Sequence, residues 1–201
     1  MKERGMIFNE HQVRALLDGN MTQTRRPLKW KRTRFTEIGE RDDGSNWPWS
    51  EDCENCCDYW HPCPFGVVGD RIWVRETWAE AGASAPDLKL YRANYPEHVP
   101  SHYENVPPVD EIRWTPSIHM PRWASRIMLE ITGVRVERLN SISNESARAE
   151  GYPVDREANG GDIDPWLWFR DLWDGIYPEQ SFKHNPWVWV IEFKRIEGDR
   201  A

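Results

Sequence analysis

Asn185-Pro186-Trp187-Val188-Trp189-Val190-Ile191-Glu192-Phe193 is the stretch that decides the fold. Asn185-Pro186 stops whatever element precedes it. The seven residues that follow are β-branched or aromatic except for Glu192, which is the composition of a strand. Trp187 and Trp189 stand two apart, so they share one strand face at core spacing. Working outward, two more segments carry the same signal. Residues 125–139 are rich in β-branched side chains with polar alternation, which predicts one long strand or two joined at Gly133. After the turn Gly69-Asp70, the run Arg71-Ile72-Trp73-Val74-Arg75-Glu76-Thr77-Trp78 puts Ile72, Val74, Glu76 and Trp78 on one face. Glu76 is the odd member, a carboxylate on an apolar face.

Helices lie between these strands. Met6-Ile7-Phe8 is a short apolar run, Asn9 offers an N-cap, and Val13, Leu16 and Leu17 follow at helical spacing until Gly19. Ser143-Asn144-Glu145-Ser146 opens a short helix that ends at Gly151. Asp164-Pro165 opens another, carrying Trp166, Phe169, Leu172, Trp173 and Ile176 on its apolar side. Residues 79–111 read as loop with one strand candidate at 88–93, and 114–123, holding Pro116 and Pro121, read as an ordered loop. The elements mix without a βαβ rhythm and without repeats, so the expected class is α+β around a small antiparallel barrel.

The chain has 201 residues, of which 39% are hydrophobic and 29% charged, which fits one soluble globular domain. A net charge of −7 argues against a sequence-blind nucleic-acid coat, while leaving room for a local basic groove. Thirteen Trp give the chain a large stock of rigid aromatic surface. No apolar run reaches the length of a membrane span, and residues 1–19 carry Glu3 and Glu10 with no signal-peptide core. The expected location is the cytoplasm, with no membrane partner.

Charge is not spread evenly. Residues 25–34 hold six positive charges (Arg25, Arg26, Lys29, Lys31, Arg32 and Arg34) around Trp30, and no acid. Residues 37–54 hold seven acids against Arg41, together with Gly44, Ser45, Asn46 and Pro48, and read as an insertion or long loop over about 36–64. Guanidinium forks suit phosphate and an indole face stacks on an unpaired base, so the basic run points to nucleic acid or nucleotide contact. The plainer alternative pairs it with the acids that follow. The insertion also holds all four cysteines. Cys53-x-x-Cys56 has half-site spacing for structural zinc, with His61 and Cys63 as the other half and Cys57 as a competitor. A metal would order a loop that has few apolar residues; four free thiols are the alternative.

Four segments carry a family resemblance. Gly19-Asn20-Met21-Thr22-Gln23-Thr24-Arg25-Arg26 resembles the signature Gly-x-Lys-x-x-Glu-x-Arg of the ASCH family, within the PUA-like superfamily, in the variant with Thr for Glu. Met21 stands where that signature has Lys. Residues 63–81, 114–139 and 185–196 are similar to ASCH-like proteins of bacteriophages and prophages. The resemblance implies a PUA-like β-barrel with flanking helices, here one domain over 1–201 with a Cys-rich loop insertion. Such relatives include RNA-binding modules, an amidohydrolase acting on N4-acetylcytidine, and ribonucleases.

The leading expectation is recognition of RNA, another single-stranded nucleic acid, or a modified base or nucleoside. The pocket would contain Thr24 and Glu76, with Arg25, Arg26, Lys29, Arg75, Trp78, Ser117, His119 and Trp123 as ligand-binding residues. Carried over from the amidohydrolase-type relatives, Thr24 would be a nucleophile and Glu76 its base or orienting carboxylate, since a hydroxyl nucleophile needs a group to take its proton. Met21 cannot be that group. Alternatively, Glu76 pairs structurally with Arg25 or Arg26, and His119 caps the barrel through backbone bonds. A third reading makes the chain a phage interaction module that acts on a host protein in the bacterial cytoplasm.

Overall fold

A computed structural model describes residues 1–29, 37–52, 57–83, 85–157 and 159–197. Its centre is the stretch quoted first. Strand β10 (Trp187–Ile196) lies in a five-stranded sheet with β1 (Glu3–Ile7), β2 (Gln23–Pro27), β6 (Arg71–Arg75) and β9 (Met128–Arg138), in the order β1-β6-β9-β10-β2. β10 runs antiparallel to both neighbours, with Ile191 opposite Thr24 on one side and Val134 on the other. Its ladder to β9 shifts between Glu192 and Phe193, leaving Thr132 as an extra residue on β9. Residues 125–139 therefore supply one strand with an irregularity beside Gly133, where a Cβ would stand 2.6 Å from Glu192 Oε2.

Both faces of β10 are covered. Trp189, Ile191 and Phe193 point into a core shared with Phe8, Val13, Leu16, Val74 and Ile131. Val188 and Val190 point the other way, toward Trp168, Phe169 and Trp173 of α4 (Asp164–Ile176). A strand buried on both sides needs an apolar run rather than strict alternation. Helix α1 (Glu10–Leu17) begins as expected, with Asn9 and Gln12 forming a reciprocal cap. Ser143 caps α2 (Asn144–Ala149), and α3 (Val154–Glu157) precedes α4.

Three departures from the sequence reading have physical causes. The sheet is not wholly antiparallel: β1 pairs parallel with β6, Ile7 opposite Arg75. Its two edge strands are linked by a side chain, as Arg26 of β2 donates to the Ile7 carbonyl at 2.8 Å and sits 5.2 Å from the Phe8 ring centre. The acidic insertion contains an antiparallel sheet of β3 (Glu37–Glu40), β4 (Asn46–Asp52) and β5 (Cys57–Trp60). Tryptophan supplies the burial that its acids seemed to deny. Arg41 lies 3.9 Å from the Trp47 ring centre and 5.3 Å from that of Trp60, while Trp47 packs edge-on against Trp189 of the main core. Finally, the strand expected through Trp78 stops at Arg75 and resumes as β7 (Trp78–Glu80), which pairs with β8 (Lys89–Tyr91).

Arg25 joins the sheet to its helical layer. Its side chain is almost wholly buried and donates to Glu150 at 2.8 Å and to Glu137 of β9 at 3.0 Å. Its backbone N–H donates to the other Glu150 oxygen. Arg25 was expected on a pocket rim; neighbouring strand residues face opposite sides, so it points to the helices while Thr24 points to the opposite core.

Burial pushes the Glu150 carboxyl up to about 7, with the Arg25 guanidinium pulling the other way. The folded chain then holds a proton between about pH 4.5 and 7 that the unfolded chain has released, so this group's contribution to stability falls as pH rises through that window. His98, held below its ordinary value by burial, acts in the opposite sense below about pH 6.5. The comparison is therefore between the native chain and Glu150→Gln. In denaturant titrations at about pH 5 and about pH 8, the native chain should lose on the order of 2 kcal/mol relative to the variant at the higher pH. A constant difference would refute the assignment.

Candidate nucleic-acid interface

The break after β6 builds the site. At Glu76 the backbone leaves the ladder, and its N–H donates to the Met120 sulfur at 3.3 Å. The Glu76 carboxylate is 2% exposed and cannot go without a partner. Arg126 meets it with a two-pronged pair, Nε to Oε1 and Nη2 to Oε2, each 2.9 Å. The same Nη2 reaches Asn94 Oδ1 at 2.9 Å, and the guanidinium lies 4.0 Å from the Tyr91 ring centre.

Tyr91 extends this network. Its hydroxyl donates to the Ala124 carbonyl at 2.9 Å, and burial pushes its ionisation up to about 12. Its N–H donates to His98 Nε2 at 3.1 Å, so that nitrogen carries no proton. His98 Nδ1, 3.1 Å from the Asn94 carbonyl, must then be the protonated one. Burial favours this neutral ring. The network clamps three pieces of chain: the end of β6, the turn after β8, and the segment of tight turns at Ser117–His119 and Arg122–Ala124.

That last segment carries the exposed surface. Trp123 is 60% exposed and stands edge-on to the buried Trp78, ring centres 5.3 Å apart. Lys89 Nζ lies 5.5 Å from the Trp123 ring centre. Ile118 and His119 are exposed nearby, and Arg75 donates to the Ser117 carbonyl at 3.2 Å and to that of Ile118. Arg122 is held by Glu3 at 3.0 Å. Trp78 is pinned by mutual backbone bonds with Thr115, while its indole N–H is buried without a hydrogen-bond partner among the described residues. A rigid indole beside an ammonium group can stack an unpaired base and attract the phosphate next to it.

The structure thus gathers Arg75, Glu76, Trp78, Ser117, His119 and Trp123 around one segment. Thr24 lies on β2, 0% exposed, and its hydroxyl has no hydrogen-bond partner among the described residues. Met21 is packed in the core. Glu76 pairs with Arg126, not with Arg25 or Arg26. Arg26 bonds Ile7, the cross-strand partner of Arg75, and Lys29 is exposed just beyond β2. The other charges of the basic run, from Lys31 to Arg34, and Trp30 lie outside the described residues. Sequence reasoning missed Arg126, Lys89 and Asn94. The misplaced carboxylate at Glu76 signalled that a cation must exist, but its partner lies fifty positions away.

Of the cysteine cluster, Cys53 and Cys56 lie outside the described residues. Cys57 is exposed on β5. His61 Nε2 is 3.0 Å from Ser50 Oγ, and its ring packs on Tyr59. Cys63 is buried in the main core, where desolvation pushes its thiol up to about 11. Among the described residues no three metal-ligating side chains come together, and no helix is long and apolar enough to cross a membrane.

No family model matches the sequence, and no curated protein matches it. An ASCH domain is similar in structure. The similar chain is the crystal structure of an ASCH domain from Lactobacillus crispatus JV V101, 14% identical, covering 96% of this chain and 79% of that one, with a TM-score of 0.39.

The Glu76–Arg126 pair has a thermodynamic signature. Arg126→Ala strands a buried carboxylate and should cost about 3–5 kcal/mol in urea denaturation. Adding Glu76→Ala removes the stranded charge, so the double variant should be at least about 1 kcal/mol more stable than the sum of the two single losses. Strict additivity would show that the pair is not coupled.

Proposed function

We propose that this protein binds single-stranded RNA, taking an unpaired base on Trp123 with Lys89 beside it. The observation that carries this reading is an indole 60% exposed yet held by Trp78 and by a buried ionic network. Leaving so large an apolar ring in water is unfavourable unless something covers it, and a base offers a flat surface of matching size. Lys89 and Arg75 supply a local cationic rim on a chain whose net charge is −7. That contrast favours a short contact over a sequence-blind coat. The sequence resemblance to ASCH proteins of phages and prophages supports the same class of partner. In this reading Glu76 is a positioning residue: it holds Arg126, and through it the segment that presents Trp123.

Fluorescence anisotropy with labelled single-stranded RNAs tests the proposal. Trp123→Ala should weaken binding roughly 5- to 150-fold, as expected for one lost stacking contact. Lys89→Glu should weaken it further and flatten the dependence on salt. Equal affinity in the native chain and Trp123→Ala would overturn the reading, as would preference for duplex over single strand.

A further inference from the structure

A cavity that the functional reading does not use lies elsewhere in the protein. It is a groove of about 640 Å³, within the range of small-molecule sites. Its floor comes from α1 and the turn Arg92–Asn94, and its roof from residues 95–109. The two ends differ in chemistry. At the floor, Glu10 lies between two guanidinium groups, 3.1 Å from Arg92 Nε and 3.9 Å from Arg14 Nη2. The Arg14 Nε is committed to the Ala93 carbonyl. The terminal nitrogens of Arg92 make no hydrogen bond among the described residues, so its forked donors are free for an acceptor. One carboxylate against two guanidiniums leaves one positive charge uncompensated. Tyr95, Val99, Tyr103 and Val106 line the roof and offer apolar and aromatic surface. The roof is held in place, with Tyr95 donating to the Pro107 carbonyl and Trp114 to that of Val109.

We propose that this groove binds a mononucleotide, its phosphate on Arg92 and Arg14 and its base against Tyr103 and the valines. A guanidinium fork matches phosphate oxygens in geometry as well as charge. An aromatic-lined wall at the other end suits a planar base. Glu97 and Glu104 are exposed on the same roof segment and disfavour a long polyanion, so the occupant is a free nucleotide and not a strand. The inference does not depend on the Trp123 surface.

Isothermal titration of the full chain with AMP and with UMP tests it, with adenosine, uridine and inorganic phosphate as comparison probes. At least one nucleotide should bind saturably below about 1 mM. Its nucleoside and phosphate alone should each bind at least about tenfold more weakly. Arg92→Glu should abolish binding, and because Arg92 is half exposed the fold should survive, as circular dichroism would verify. Tyr103→Ala, a second variant on an independent wall, should weaken binding at least about fivefold. The proposal is overturned if neither nucleotide saturates, if the nucleosides bind as well as the nucleotides, or if both groove variants bind like the native chain.

Discussion

Arg25 has no route to water, and much of the architecture follows from that. A buried guanidinium is tolerated when its charge is matched, and among the Arg25 nitrogens Nε alone lacks a hydrogen-bond partner among the described residues. Here the match comes from two places: Glu137 on the neighbouring strand but one, and Glu150 just past the end of α2. Through Glu150 the helical layer is registered against the sheet, and with it the Trp168, Phe169 and Trp173 cluster that covers one face of β10. The Arg25 guanidinium lies 5.8 Å from the Phe169 ring centre, so the cation also rests on the apolar layer it positions. The ionic chain continues outward, since Glu137 also accepts from Arg135, which bonds Glu192. A graded passage from the interior to the surface lets the sheet carry charge on a face that is otherwise apolar.

Glu76 repeats the device with a different purpose. Arg25 ties layers together; Arg126 ties loops together. The segments it holds have few strand ladders of their own, so polar bonds replace backbone pairing as their source of order. Such networks are strongly geometric. They suit a surface that must keep an exposed ring in one orientation.

The parts of this fold legible in the sequence were those written in local periodicity or local capping: the last strand, the long strand before it, α1 after Asn9 and α4 after Asp164-Pro165. The unreadable parts depend on distant partners. Tandem Arg25-Arg26 looked like one basic patch, although strand geometry separates its members to opposite faces. The Trp47 and Trp49 spacing was a strand signal hidden by the surrounding acids, because charge was weighted over side-chain size. At the site, Glu76 was conspicuous as a carboxylate out of place and Trp123 as an aromatic just after Pro121. Neither Arg126 nor Lys89 had a local mark, since what makes them matter is the contact and not the neighbourhood in the chain.

Strand order has a consequence for how the molecule comes to exist. β10 is the hub of the sheet and follows every other described strand in the chain, while one of its two partners, β2, is among the earliest. During synthesis, β1, β2, β6 and β9 all emerge before the strand that covers and joins them. Until it arrives, the apolar side chains of β9 and the row of backbone donors and acceptors along β2 lack their partner. Contacts this far apart in sequence form slowly, because the intervening chain must be ordered first. The nascent protein is thus an incomplete sheet with open edges until β10 emerges, the condition in which chaperones are most often engaged and misassociation between copies begins.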